Sequence, residues 1–261
     1  MEQEMKIFKH IPNSITLMNL LCGCFASIEA FEGDFLNAFY FMIAAALFDF
    51  CDGLSARLLG AYSPLGKELD SLADMVSFGV APTLILFSFQ RSVAEPLWKA
   101  AESEGESTLL LSCMLAVPFV LVALSALRLA KFNIDTRQTH NFIGLATPSA
   151  ALMTAGFMGY ASSRPALMQL LAENAIWVNV ATVVVALLLV SNIPMFSFKF
   201  SSLKWRGNQS RFIFIALSLL LGLLLLLLES FAFPLWVACV LMLYIIINLV
   251  LAPLKGVSDG E

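Results

Sequence analysis

The sequence predicts an all-α fold: a polytopic membrane helix bundle of about eight transmembrane helices. Three observations carry that expectation. Hydrophobic residues make up 59% of the 261-residue chain and charged residues only 13%, and the mean hydropathy is +0.85, far from that of a water-soluble domain. The apolar runs reach about 20 residues, long enough as helix to cross roughly 30 Å of hydrocarbon. The period-2 alternation of an outer-membrane barrel is absent.

The expected spans cover about 12–31, 36–59, 70–90, 108–130, 143–162, 175–195, 211–230 and 232–252. The first follows Lys6 and Lys9, and no small-residue cleavage site comes after it, so it reads as a retained span rather than a signal peptide. The fifth is the least apolar. The run "LSLLLGLLLLLL" at 217–228 reads as lipid-facing leucine. The last two spans are separated only by Glu229 to Pro234 and read as a tight hairpin. With no soluble domain, Pro-rich linker or repeat visible, residues 1–261 read as one integral membrane domain.

Charge placement sets the orientation. Eight spans put twelve of the fifteen Lys and Arg residues on one side, among them Arg57, Lys67, Arg128 and Lys131. Arg91, Lys99 and Arg164 fall on the other. The positive-inside rule then places both termini in the cytoplasm, in an inner (cytoplasmic) membrane. The net charge of −4 carries little weight beside that distribution, and no nucleic-acid partner is expected. The five cysteines form no CxxC pair and read as small buried hydrophobes.

Against this background the stretch "DFCDGLSARLLGAYSPLGKELDSLAD", residues 49–74, is anomalous. Asp49 and Asp52, three apart, share a helix face at the end of the second span. Asp70 and Asp74, four apart, share a face at the start of the third. The turn-rich connection between them makes the spans antiparallel neighbours, so the two pairs converge at the cytoplasmic side. Four carboxylates in one apolar pocket cannot all stay ionised without a counter-cation. An all-oxygen set suits Mg²⁺ or Mn²⁺, one or two ions, or Ca²⁺, and not zinc. Two readings stand for Gly53 and Ala56 on the same face: close helix packing, or a flat wall for a ring or ribose. Arg57 reads either as a topology anchor or as a phosphate ligand.

At these residues the chain resembles the CDP-alcohol phosphotransferase family, whose signature is D-x2-D-G-x2-A-R-x8-G-x3-D-x3-D. Asp49, Asp52, Gly53, Ala56, Arg57, Gly66, Asp70 and Asp74 match it with every spacing intact. The resemblance implies a six-helix catalytic core within residues 1–200, with 211–252 as an additional C-terminal helix pair. It implies attack of an acceptor hydroxyl on a CDP-linked lipid, with CMP leaving. It implies metal ligation by Asp49, Asp52, Asp70 and Asp74, with Asp74 as base, and a nucleotide site bordered by Gly53, Ala56, Arg57 and Gly66. A homodimer is expected on the same ground.

Three further stretches resemble the phosphatidylserine synthase branch of that family: "IPNSITLMNLLCG" at 11–23, "RLAKFNIDT" at 128–136 with "FIGLATPSA" at 142–150, and "SNIPMFSFK" at 191–199. Lys131 and Ala146 depart from the Arg and Pro expected there. The implied substrates are CDP-diacylglycerol and L-serine. Asn13 and Thr16 then line the nucleotide site, or else cap and pack the first helix. Arg128, Lys131 and Asn133 are candidates for the acceptor or a phosphate, Arg128 foremost because its fork matches two oxygens. Arg128 and Lys131 also read as topology anchors. Lys199, Lys204, Arg206 and Arg211 are expected at anionic headgroups. Two alternatives remain open: the same chemistry on glycerol 3-phosphate, inositol phosphate or an amino alcohol, and a divalent-cation transporter.

Overall fold

Each of the eight expected segments contains a helix in a computed structural model of the chain, which describes residues 10–104, 108–134, 142–196, 208–229 and 232–255. Lys6, Lys9, Lys199, Lys204 and Arg206 lie outside the described residues. Helix α1 (Ile11–Glu32) carries Pro12 in its first turn, where a missing N–H costs nothing. It ends at Gly33, whose φ of 86° is left-handed and suits glycine. Asp34 then caps α2 (Phe35–Leu58), its side chain accepting from the Asn37 amide at 3.0 Å. This two-residue connection folds α2 back along α1, and the two pack along much of their length.

Helix α3 (Pro64–Asp74) starts earlier than the sequence suggested, because Ser63 caps it by accepting from the Gly66 amide at 3.0 Å and Pro64 opens its first turn. The chain continues through a π-helical turn, Met75–Val80, into α4 (Ala81–Glu104). The expected outer connection from residue 91 onward is therefore largely helix. Helices α5 (Leu109–Ala116) and α6 (Phe119–Ile134) are separated by a turn at Val117–Pro118, where proline cannot supply the helical donor.

Helix α7 (Thr147–Ser162) has only 16 residues, about 24 Å of rise. Its small residues explain its weak hydropathy: they let backbones touch. A Cβ on Gly156 would lie 2.6 Å from the Pro234 carbonyl, and one on Gly159 would lie 3.1 Å from the Phe35 carbonyl. Helix α7 thus wedges between α2 and the last helix. Helices α8 (Pro165–Glu173) and α9 (Ala175–Val190) meet at a bend of 84°. Helices α10 (Gln209–Glu229) and α11 (Phe233–Lys255) complete the described chain.

Among the described residues, six helical stretches are long and apolar enough to cross a membrane, and the bent α8–α9 pair makes a seventh if taken as one span. The chain is a polytopic all-α membrane protein. The core that fixes the bundle holds Phe39, Met42, Phe78, Ile85, Phe89 and Leu145, all essentially inaccessible. By contrast α10 turns Leu219, Leu220, Leu223 and Leu227 outward, as a lipid-facing helix would. One feature escaped the sequence reading: Phe142–Ile143 (β1) and Pro194–Met195 (β2) form a short antiparallel pair, Phe142 opposite Met195.

Candidate active site

The common neighbour of the two acidic segments is α1, which packs on α2, on α3 and on the π-turn. Helices α2 and α3 themselves make little direct contact, unlike the adjacent antiparallel pair expected. The space kept open between them is a cavity of about 620 Å³, lined from α2 by Asp52, Gly53 and Ala56 and from α3 by Gly66, Lys67 and Asp70. Helix α1 closes it with Asn13 and Thr16. Five of the six expected nucleotide-site residues therefore border one cavity. The sixth, Arg57, does not: its Nε donates to the Gly53 carbonyl at 2.9 Å, on an exposed turn.

The glycines differ in what they do. A Cβ on Gly53 would meet nothing within 4 Å, so in this structure Gly53 keeps the cavity wall flat rather than bringing helices together. Gly66 serves close approach, since its Cβ would stand 3.0 Å from Asn13 Oδ1. Thr16 is buried and donates to the Pro12 carbonyl at 3.0 Å.

Two of the four aspartates, Asp52 and Asp70, line this cavity. Asp49, Asp70 and Asp74 each offer a carboxylate oxygen, and those oxygens lie within 4.8 Å of one another. Asp52 is not in that trio. It is 6% exposed and lines the cavity with Asp70. Asp52 Oδ2 and Asp70 Oδ1 are buried without a hydrogen-bond partner. Among the described residues none of the four is ion-paired with Lys or Arg. A converging trio, with a buried unpartnered oxygen on Asp70 and another on nearby Asp52, fits a divalent cation with oxygen preference. Leaving such atoms bare in an apolar bundle would be costly.

Asn19 was not assigned a role from sequence, yet it is fully buried and its Nδ2 donates to Asp74 Oδ1 at 3.2 Å. Its backbone carbonyl accepts from Ser77 Oγ at 3.0 Å. That seam is tight, because a Cβ on Gly23 would lie 2.7 Å from Ser77 Cα. The signal was present as Asn13, Thr16 and Asn19, a polar residue at every third position of an apolar helix. Tyr62 and Lys67 on the cavity lining were likewise missed.

The three acceptor candidates separate. Arg128 is 8% exposed, donates from Nε to the Leu145 carbonyl at 3.1 Å, and lies over the Phe132 ring. Its helix packs against the π-turn that directly follows Asp74, which brings α6 alongside the aspartate cluster. Asn133 joins α6 to α3, donating to Ser71 Oγ at 2.8 Å and accepting from Lys67 Nζ at 3.0 Å through its carbonyl. Lys131 is exposed and is not brought to the cluster.

Known proteins place this arrangement. The CDP-alcohol phosphatidyltransferase family matches residues 9–189. A CDP-diacylglycerol–serine O-phosphatidyltransferase of Bacillus subtilis is 33% identical over 150 residues, 55% of this chain and 72% of the relative. One of Methanocaldococcus jannaschii is 36% identical over 147 residues, 56% of this chain and 59% of the relative. An archaetidylserine synthase of Methanothermobacter thermautotrophicus is 28% identical over 182 residues, 68% of this chain and 71% of the relative. Other CDP-diacylglycerol–serine O-phosphatidyltransferases are spanned over about half of their length, 46% in Mycobacterium leprae and 54% in Helicobacter pylori. The family match over most of the chain, together with a signature whose carboxylates converge beside one cavity, settles the assignment: this chain belongs to the CDP-alcohol phosphatidyltransferase family.

Proposed function

We propose that the chain transfers the phosphatidyl group of CDP-diacylglycerol to the hydroxyl of L-serine, giving phosphatidylserine and CMP. The observation that carries this reading is the convergence of Asp49, Asp70 and Asp74 beside the 620 Å³ cavity that holds most of the remaining signature positions. The names of the relatives, serine and archaetidylserine transferases, support serine as acceptor.

Asp49, Asp70 and Asp74, with Asp52 alongside, would hold one or two Mg²⁺ or Mn²⁺ ions. When bound, such an ion offsets the charge that builds on the pyrophosphate oxygens. Asp74 removes the proton as the serine oxygen bonds to the lipid-side phosphorus. The bond from that phosphorus to the CMP oxygen breaks, and CMP leaves with its electron pair. Asn19 orients Asp74 by donating to Oδ1. Asn13, Thr16, Gly53, Ala56 and Gly66 border the cytidine end of the donor. Arg57 acts one step back, steadying the α2 turn through the Gly53 carbonyl. Arg128, buried beside Asp74, takes the serine carboxylate in its fork, while Asn133 holds α6 against α3. Lys131 serves at the headgroup surface.

The bias of basic residues supports cytoplasmic termini and an active site on the cytoplasmic side of an inner membrane. A homodimer follows from the family resemblance.

The acceptor is tested by supplying the purified chain with CDP-diacylglycerol, Mg²⁺ or Mn²⁺, and in turn serine, glycerol 3-phosphate, inositol phosphate and an amino alcohol. Serine-dependent CMP release and a phosphatidylserine product are expected. Release with glycerol 3-phosphate and none with serine would overturn the acceptor assignment.

A further inference from the structure

Helix α11 lies beyond the residues matched by the family, yet it reaches the active site through a continuous chain of buried bonds. Tyr244 and Asn248, one helical turn apart, grip a single residue. The Tyr244 hydroxyl donates to the Phe196 carbonyl at 2.9 Å, and the Phe196 amide donates to Asn248 Oδ1 at 2.8 Å. Both α11 side chains are buried, Asn248 at 1% exposure. Phe196 directly follows β2, which pairs with β1. Just after β1, the Gly144 amide donates to the Ile193 carbonyl and the Leu145 amide to the Leu188 carbonyl, each at 2.9 Å. Gly144 has a φ of 76°, and a Cβ there would lie 2.6 Å from the Leu189 carbonyl, so this turn admits only glycine. The Leu145 carbonyl then accepts from Arg128 Nε.

We propose that Tyr244 and Asn248 are positioning residues for the transfer reaction: they clamp the β1–β2 strap, whose Leu145 carbonyl aims the Arg128 guanidinium at the acceptor beside Asp74. The inference rests on the reading of Arg128 as the acceptor's carboxylate ligand. The strap is short, two residues on each side, and a pair of that length has little stability of its own. Its placement therefore depends on what holds its ends. Helix α11 holds one end with two hydrogen bonds, and the Phe196, Phe214 and Tyr244 rings pack edge to face around it, with centroids 5.0 to 6.0 Å apart. Helix α9 holds the other end through Leu188.

Tyr244→Phe tests this with the ring packing retained and only the hydroxyl removed. Kinetics are measured on the full-length chain in detergent or nanodiscs, varying serine and CDP-diacylglycerol separately. The serine kcat/KM is expected to fall about three- to tenfold, with the KM for CDP-diacylglycerol within about twofold. Asn248→Ala, which frees the amide of the same residue, is expected to do likewise. Met242→Ala, on the outward face of α11, is expected to change neither. In an Arg128→Lys background Tyr244→Phe is expected to add nothing, because both act through one group. If Arg128→Lys impairs serine use while Tyr244→Phe and Asn248→Ala leave it intact, the clamp is wrong and the Arg128 reading stands. Losses that multiply between Arg128→Lys and Tyr244→Phe, or that fall equally on both substrates, also overturn the clamp. If Arg128→Lys leaves serine kinetics unchanged, the Arg128 reading itself fails and takes the clamp with it.

Discussion

Asp74→Asn is expected to lower CMP release by about 10³-fold or more, with the protein still inserted and still binding CDP-diacylglycerol. Two losses combine. A positioned base is worth about 10² to 10⁴ in rate, and asparagine cannot accept the acceptor's proton. The substitution also removes one of the three carboxylates that converge within 4.8 Å. Shape is conserved, and the Asn19 amide can still donate to the retained side-chain oxygen, now 3.2 Å away. The fold should therefore survive, as judged by a monodisperse detergent peak and an unshifted thermal midpoint. The rate is measured as CMP release at saturating serine, and donor binding separately with labelled CDP-diacylglycerol. Residual activity within tenfold of the parent would remove Asp74 as the base.

Asp70→Asn is expected to act on cation binding first and on rate as a result. Asp70 belongs to the converging trio, and its Oδ1 is buried without a protein partner. Neutralising it removes an anionic ligand while keeping the shape of the side chain. The turnover loss is expected on the order of 10² to 10³ at fixed Mn²⁺, the scale seen when one preorganised electrostatic group is lost from a site. Raising Mn²⁺ should recover part of that loss. The same titration should do little for Asp74→Asn, where the proton acceptor itself is gone. Mn²⁺ binding followed by electron paramagnetic resonance checks the claim without reference to turnover: weaker binding in Asp70→Asn is expected, and unchanged binding would contradict it. Asp52, outside the trio and on the cavity wall, should affect donor KM more than cation affinity.

Much of this site was legible because membrane sequences make polar residues expensive. Four aspartates between apolar runs needed a reason, and helical spacing put each pair on one face. The same physics limited what else could be read. Asn19 was visible as a polar residue in an apolar helix, but its partner sits 55 residues away on α3, and no local pattern gives that register. The motifs "FIGLATPSA" and "SNIPMFSFK" stood out as separate stretches. Their meeting as β1 and β2 is a long-range pairing of four residues, far too short to leave an alternating signature. Helix α7 was read as the least apolar span. Its glycines and alanines are there for backbone contact on both sides, which hydropathy scores as weakness. The acceptor residues were the least legible: Arg128 and Lys131 are both basic residues near a span end, the guanidinium fork alone favoured Arg128, and burial now separates the two.

The account stands on carboxylates that hold a divalent cation against the donor's pyrophosphate, and chelation tests it most directly. Purified protein is stripped exhaustively with a chelator, exchanged into metal-free buffer and assayed for serine-dependent CMP release from CDP-diacylglycerol. Release is expected to fall to background and to return on titration with Mg²⁺ or Mn²⁺. Full activity in the stripped protein would contradict the account.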